Sequence, residues 1–316
     1  MLQYILRRFV LLIPVLFGVS IVIFGLIRMI PGDAAMLAIG VDQRITPEQR
    51  EAVRKSYGLD QPIPVQYVRW MGHVVQGDLG QSLRTRRPLT EELRLRLPVT
   101  LQLAIMAGIL GTIPAIAMGV IAAVKRNSPA DYMATIGTLL GISAPNFLIA
   151  ILLILLFSYE LKWLPPVGFK TFRDDPVQNM KTMILPAISL ALPLAAVMMR
   201  NTRSAVLEVL NQDYVRVARA KGLTSRRVMM RHVFPNAALP VITVAGLQVA
   251  GLLGGTVIVE QIFGLPGLGR YIYDAINNRD YPVVQGVTLV IATMFVIISM
   301  LVDVLYAVVD PRLRKA

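Results

Sequence analysis

Residues 97–124 read LPVTLQLAIMAGILGTIPAIAMGVIAAV, without one Asp, Glu, Lys or Arg. A helix needs about 20 predominantly apolar residues to cross the hydrocarbon core of a bilayer, and this run is longer than that. Five more uncharged runs lie at 9–27, 132–159, 182–199, 233–259 and 281–302, each long enough to span. In lipid a backbone N–H or C=O has no water to pair with, so such segments close their hydrogen bonds internally as helices. The expected fold is an all-α membrane protein with six transmembrane helices. The run 182–199 is the weakest of the six, being the shortest and holding Pro186 and Pro193. GISAPNF at Gly141 places Gly, Ser and Pro in mid-span and permits a kink. GLLGG at Gly251 permits close helix contact or a bend.

Composition agrees. The chain has 316 residues, 55% hydrophobic and 16% charged, with a mean hydropathy of +0.61, where a soluble domain averages about 25% charged. Thirty-two Lys and Arg against 19 Asp and Glu give a net charge of +13. In a soluble protein that balance points to nucleic acid, but here the positive charge sits between apolar spans. With an inward N-terminus, the inside segments carry Arg7 and Arg8, Lys125 and Arg126, eight Lys or Arg in 200–232, and Arg312, Arg314 and Lys315. The two short outside loops carry six. The loop at 28–96 is long enough to translocate largely regardless of charge. Both termini are therefore expected in the cytoplasm. Arg7, Arg8 and the run after them imitate a signal peptide, but the run exceeds the usual 7–15-residue apolar region and no A-x-A-like site follows promptly. An uncleaved first span is expected.

Several chemistries have no residues to carry them. There is no cysteine, and the two histidines, His73 and His232, are far apart in sequence. No G-x-x-x-x-G-K-[ST] phosphate loop and no H-E-x-x-H occurs. Tyr273-Asp274 is half of an intramembrane aspartyl protease signature, without its G-x-G-D partner. No serine has a recognisable base in motif. The chain reads as a non-enzyme that binds no cofactor itself. The runs also lack Asp, Glu, Lys and Arg, so the charge relay of a proton-coupled secondary carrier is missing and energy has to come from elsewhere. Within the spans Gln102, Asn146 and Gln248 either line a polar path or hold helices together by hydrogen bonds.

The long loop before 97 is expected to be ordered. Thr46-Pro47-Glu48-Gln49 opens a helix to about Tyr57. A second short helix follows at 66–76, with Tyr67 and Trp70 placed for the membrane interface. Residues 84–96 are charged and lead into the second span. This region is either a structural cap or a docking surface for a delivered substrate.

The basic segment 200–232 is the other candidate site. Asp213 is expected to be an N-cap, 214–221 a short helix, and Gly222 a left-handed stop. Tyr214, Val217 and Ala218 make a small apolar face, with Arg216, Arg219 and Lys221 around it. Such a helix suits a groove on a soluble partner.

This segment resembles the cytoplasmic-loop signature of ABC importer permeases: E-A-A, three residues, Gly, nine residues, I-x-L-P. Gly222 takes the Gly position. Arg216, Val217 and Ala218 take E-A-A, and Pro235 takes the final Pro. DYVRVARAKGL and RHVFPNAALPVITV are closer to the variant of the dipeptide/oligopeptide/nickel branch. YILRR at Tyr4, MIPGD at Met29, YGLDQP at Tyr57, GDLGQS at Gly77, PGLGR at Pro266, NRDYPVVQG at Asn278 and DPRLR at Asp310 resemble the same branch. The resemblance runs from end to end. It implies the type I importer permease fold, in a bacterial inner membrane. It also implies a second homologous permease subunit, two cytoplasmic ATPase subunits that bind the ATP, and an external solute-binding protein. Asp213, Tyr214, Val217, Ala218, Lys221 and Gly222 would form the ATPase contact. The implied substrate is a short peptide, with glutathione, nickel chelates or opines as alternatives. The organisation expected is a first transmembrane helix and large periplasmic loop (1–96), a core of five transmembrane helices (97–302) and a cytoplasmic tail (303–316).

Overall fold

The structure, a computed structural model, describes residues 2–29, 55 and 60–309. The expected helix at 46–57 falls, apart from Lys55, outside the described residues. Helices follow in the order α1 (Leu2–Met29), α2 (Ile63–Val75), α3 (Leu89–Val124), α4 (Pro129–Ser143), α5 (Asn146–Leu153, continued by a π-helical turn Ile154–Glu160), α6 (Pro176–Leu210), α7 (Asp213–Ala220), α8 (Ser225–Val228, continued by a π-helical turn Met229–Val233), α9 (Phe234–Ile262), α10 (Leu268–Asn277) and α11 (Tyr281–Val309). Among the described residues five helical stretches are long and apolar enough to cross a bilayer, six if the bent pair α4–α5 is one span. Packing divides the chain into two units. One holds Leu101–Leu265 with the chain ends, the other Val10–Thr100 and Pro266–Val296.

The first unit is built on α6. The run expected to be the weakest span is in fact the most enclosed helix, with 67% of its most apolar window buried. It starts sharply because Asp175 caps it. Its Oδ1 accepts the Gln178 N–H at 3.0 Å and Pro176 occupies the first helical position. That bond, with Lys170 adding, holds the Asp175 carboxyl below the usual carboxylate range. Pro186 and Pro193 lie inside α6 without ending it. The helix also runs on past the span to Leu210, so 200–210 is helical and the basic segment 200–232 is not a loop. Against α6 pack α4, α5 and α9. Glycines let α3 come close as well: a Cβ on Gly119 would stand 2.7 Å from the Met199 carbonyl oxygen. Small residues at helix contacts are how membrane helices approach without a hydrophobic drive between them.

The third uncharged run is broken in its middle. α4 and α5 meet at 104°. Ala144 is extended (ψ 121°) because the Pro145 ring disfavours helical geometry in the residue before it. Pro145 then starts α5.

In the second unit Leu89, Leu93, Leu268, Ala275, Val283 and Val287 form a buried cluster between the start of α3, α10 and α11. Thr100 Oγ1 receives the Leu268 N–H at 2.8 Å, tying α10 to α3. Burial pushes the Tyr271 phenol up to about 12, with the Glu92 charge adding to the shift. The helix expected at 66–76 begins earlier, at Ile63, and Tyr67 and Trp70 turn onto α1 rather than standing clear of it. The Tyr67 ring meets Phe24 edge-on at 5.4 Å and its hydroxyl lies 2.8 Å from Ser20 Oγ.

The close approach of α3 and α6 can be checked directly. Gly119→Ala overpacks a backbone contact and should cost about 1–3 kcal/mol, lowering the thermal midpoint of the solubilised protein. Gly137→Ala, where an added methyl meets nothing within 4 Å, should not lower it. Equal midpoints for the two variants would mean that the helices do not meet at Gly119.

Candidate functional site

Two residues after α6 ends, α7 begins. Gln212, extended at ψ 145°, occupies the N-cap position and makes no side-chain cap bond. Asp213 is thus the first helical residue and not the expected N-cap. Its carboxylate, 93% exposed, lies 3.5 Å from Arg216 Nη1 and still meets the positive end of the helix dipole. The other end closes as the sequence predicts. Gly222 has φ +80°, its N–H reaches the Arg219 carbonyl at 2.9 Å, and the Leu223 N–H reaches the Ala218 carbonyl at 3.4 Å. This is a Schellman stop, in which a residue with a Cβ is strained. Lys221, exposed, is the C-cap.

The apolar face expected from Tyr214, Val217 and Ala218 is divided. Val215 and Ala218, three apart and therefore on one side, are buried; Tyr214 and Val217 are 45% and 52% exposed. α7 packs on α6 and α8, so one side is an anchor and the other is open. Around the open side stand Arg216, Arg219 and Lys221, all exposed.

Nearby, α4 is clamped to α6. Arg203 donates through Nε to Asp131 Oδ1 at 2.6 Å and through Nη2 to Oδ2 at 2.8 Å. Asp131, 3% exposed, also accepts the Asn127 N–H at 3.0 Å. A two-pronged guanidinium–carboxylate pair fixes orientation as well as distance.

The three polar span residues separate into two groups. Asn146 and Gln248 line one cavity of about 270 Å³ with Pro193, Val197, Gly251 and Gly255. A Cβ on Gly255 would come 3.9 Å from Asn146 Nδ2, an ordinary van der Waals contact. Gln102 lies apart from that cavity. Its amide is hydrogen-bonded to Asn179 of α6, which is fully buried and also donates to the Lys170 carbonyl at 2.8 Å. Gln102 is engaged in joining helices.

Comparison with known proteins decides the family. Residues 115–315 match the family described as "Binding-protein-dependent transport system inner membrane component", and residues 1–104 match its N-terminal companion family. The chain belongs to this family of inner-membrane permeases. Among relatives, the dipeptide transport system permease protein DppB of Escherichia coli (strain K12) is 43% identical over 99% of both chains. DppB of Alkalihalophilus pseudofirmus is 41% identical over 99% of this chain and all of its own. A putative peptide transport system permease protein of Brucella abortus is 45% identical over 98% of both. Among solved structures, the methionine ABC transporter MetNI in inward-facing form aligns with a TM-score of 0.58 at 17% identity, covering 69% of this permease and 96% of that chain. An amino acid ABC transporter crystallised with histidines gives 0.52 at 16%, covering 69% and 94%. The fold is that of ABC importer permeases. The family is a transport subunit and not an enzyme class, and its dependence on a binding protein implies solute-binding and ATPase partners.

Sequence reading of the permease missed Val215, Asn179 and the Asp131–Arg203 pair. Ser128-Pro129-Ala130-Asp131 did carry a signal, a helix start with Pro in the first turn and an acid three residues after the cap. Arg203 was counted as loop charge because α6 was expected to end sooner.

The division of α7 into two sides predicts different outcomes for neighbouring substitutions. Val215→Asp places a carboxylate in the buried anchor and should reduce the yield of folded permease, as should Ala218→Glu. Val217→Asp should leave yield and thermal midpoint unchanged. Similar losses at 215 and 217 would show that both sides are buried.

Proposed function

We propose that this permease forms one half of the translocation path of an ATP-driven importer of short peptides. It pairs with a second, similar permease subunit, two cytoplasmic ATPase subunits that bind the ATP, and a soluble solute-binding protein outside. The peptide assignment is supported by its relatives, whose names are dipeptide and peptide transport permeases. Charge asymmetry supports cytoplasmic termini, and with them a cytoplasmic α7 and the turns at 82–87 and 278–280 outside.

The observation that carries the coupling role is the open side of α7. Tyr214 and Val217 are an aromatic and an aliphatic side chain left half exposed on a helix whose other side is anchored. A capped eight-residue helix with exposed apolar side chains ringed by cations suits insertion into a groove of a soluble ATPase. ATP-driven closure of the ATPases would displace α7 and, through the continuous helix α6, the wall of the Asn146–Gln248 cavity. Alternating access follows if the broken span α4–α5 flexes at Pro145 as α6 moves. Gln102 is left out of the path on this reading, because its hydrogen bonds are spent between helices.

Tyr214→Glu and Val217→Glu should assemble normally in the membrane but lower dipeptide uptake at least about tenfold, the result of facing a desolvated groove with an unpaired charge. Normal uptake in both would make α7 a tether. The permease purified alone into lipid should hydrolyse no ATP above background.

Orientation has its own test. A reporter active only outside the cytoplasm should be active when fused at Lys170 and silent at Leu223. Activity at Leu223 would reverse the topology.

A further inference from the structure

Among the described residues four helices end with the same pair of closing hydrogen bonds. After α2, α7 and α9 the left-handed residue is Gly77, Gly222 and Gly264, with φ of 83°, 80° and 63°. After α10 it is Arg279, at φ 56°. The bonds are those of the other three: Arg279 N–H to the Ile276 carbonyl at 3.1 Å and Asp280 N–H to the Ala275 carbonyl at 2.9 Å. Glycine fits this position without strain and arginine does not.

A second left-handed arginine lies beside it. Arg86, φ 58°, sits in the turn before α3, where its N–H bonds the Ser82 carbonyl at 2.9 Å. The two turns are laced together. Asp280, 5% exposed, accepts from Ser82 Oγ and from the Leu83 N–H at 3.2 Å, and Arg84 Nη1 donates to Asn278 Oδ1 at 2.6 Å. Above this buried carboxylate, Arg84, Arg86 and Arg279 are exposed. The dipole of α10 favours a cation at 279, but Arg84 and Arg86 precede the start of α3, where the dipole disfavours them. Two strained positions and an adverse dipole are tolerated to present guanidinium groups on a fixed scaffold.

We infer that the laced turns 82–87 and 278–280 are a cationic docking face for an acidic patch on the solute-binding protein. The inference rests on the proposed reading, which puts these turns outside. Forked guanidinium groups carried on turns locked by hydrogen bonds suit carboxylates, which accept two parallel bonds. A protein partner is favoured over lipid headgroups because the family depends on a binding protein, which has to find the permease by diffusion, and opposed charge speeds that encounter.

The test uses the assembled complex in nanodiscs, with ATPase rate measured against the concentration of dipeptide-loaded binding protein. Arg86→Glu with Arg279→Glu should raise the half-saturating concentration by about tenfold at low salt, with the difference shrinking at high salt and the maximal rate unchanged. Arg279→Gly relieves the backbone, so it should raise the thermal midpoint and still weaken docking, whereas Arg279→Lys should retain most of it. An unchanged half-saturating concentration, or a lowered maximal rate alone, overturns the docking face. So does an effect that appears only when phosphatidylglycerol is added to phosphatidylcholine discs, which would make the turns a headgroup site. A wild-type complex whose ATPase ignores the binding protein altogether would refute the importer reading instead.

Discussion

α6 runs on as one helix of 35 residues, about 50 Å at helical rise, although Pro186 and Pro193 each leave one backbone hydrogen bond unmade. The first unit is organised around it. Asp175 fixes where it begins, and the approach of Gly119 fixes how closely α3 can lie. Leu190, Pro193, Leu194 and Val197 give one wall of the Asn146–Gln248 cavity. The same helix carries Arg203, and two residues after its end α7 starts. A helix of this length transmits displacement along its axis because shortening it would break several backbone bonds at once. On the reading proposed here, motion imposed at α7 would be delivered along α6 to the cavity wall.

On the reading proposed here, the break between α4 and α5 would supply the compliance that α6 lacks. At Ala144–Pro145 the chain gives up helical geometry, and only a few residues connect α4 to α5. α4 is held to α6 by a buried carboxylate with two guanidinium bonds, while the N-terminal end of α5 opens onto the cavity through Asn146. Removing either Asp131 or Arg203 would leave the other in a partly buried site without its charge partner, which is costly. The ion pair and the bend thus occupy opposite ends of one helix, α4.

How much of this could be read beforehand depended on the range of the interactions involved. The uncharged runs are local, and they gave the spans. Gly222 announced its left-handed turn, and Gly141 to Phe147 announced a bend, because both depend on neighbouring residues alone. The extent of α6 was misjudged because charges at Arg200 and Arg203 suggest a loop. A helix leaving a bilayer can stay helical when its polar residues find partners, and Arg203 has its partner 72 positions upstream in Asp131. The face of α7 was misassigned for a similar reason. Tyr214, Val217 and Ala218 form a plausible apolar stripe in isolation, and packing on α6 and α8 is what selects Val215 as the inward residue. Gln102 looked no different from Asn146 or Gln248 until Asn179, on another helix, claimed its amide.

The lining of the cavity bears on where selectivity resides. Asn146 and Gln248 offer donors and acceptors, but none of the residues around them carries a charge. Amides can follow the backbone of a passing peptide, yet they cannot neutralise its terminal ammonium and carboxylate, and holding ions in a dry site without counter-charges is unfavourable. If this cavity is the passage proposed above, it would release what it admits. On the reading proposed here, discrimination between solutes then falls to the soluble binding protein, and the permease has to recognise that protein more firmly than the cargo. The distribution of charge along the chain fits such a division: guanidinium groups stand at the ends of helices and on the laced turns, and the cavity has none.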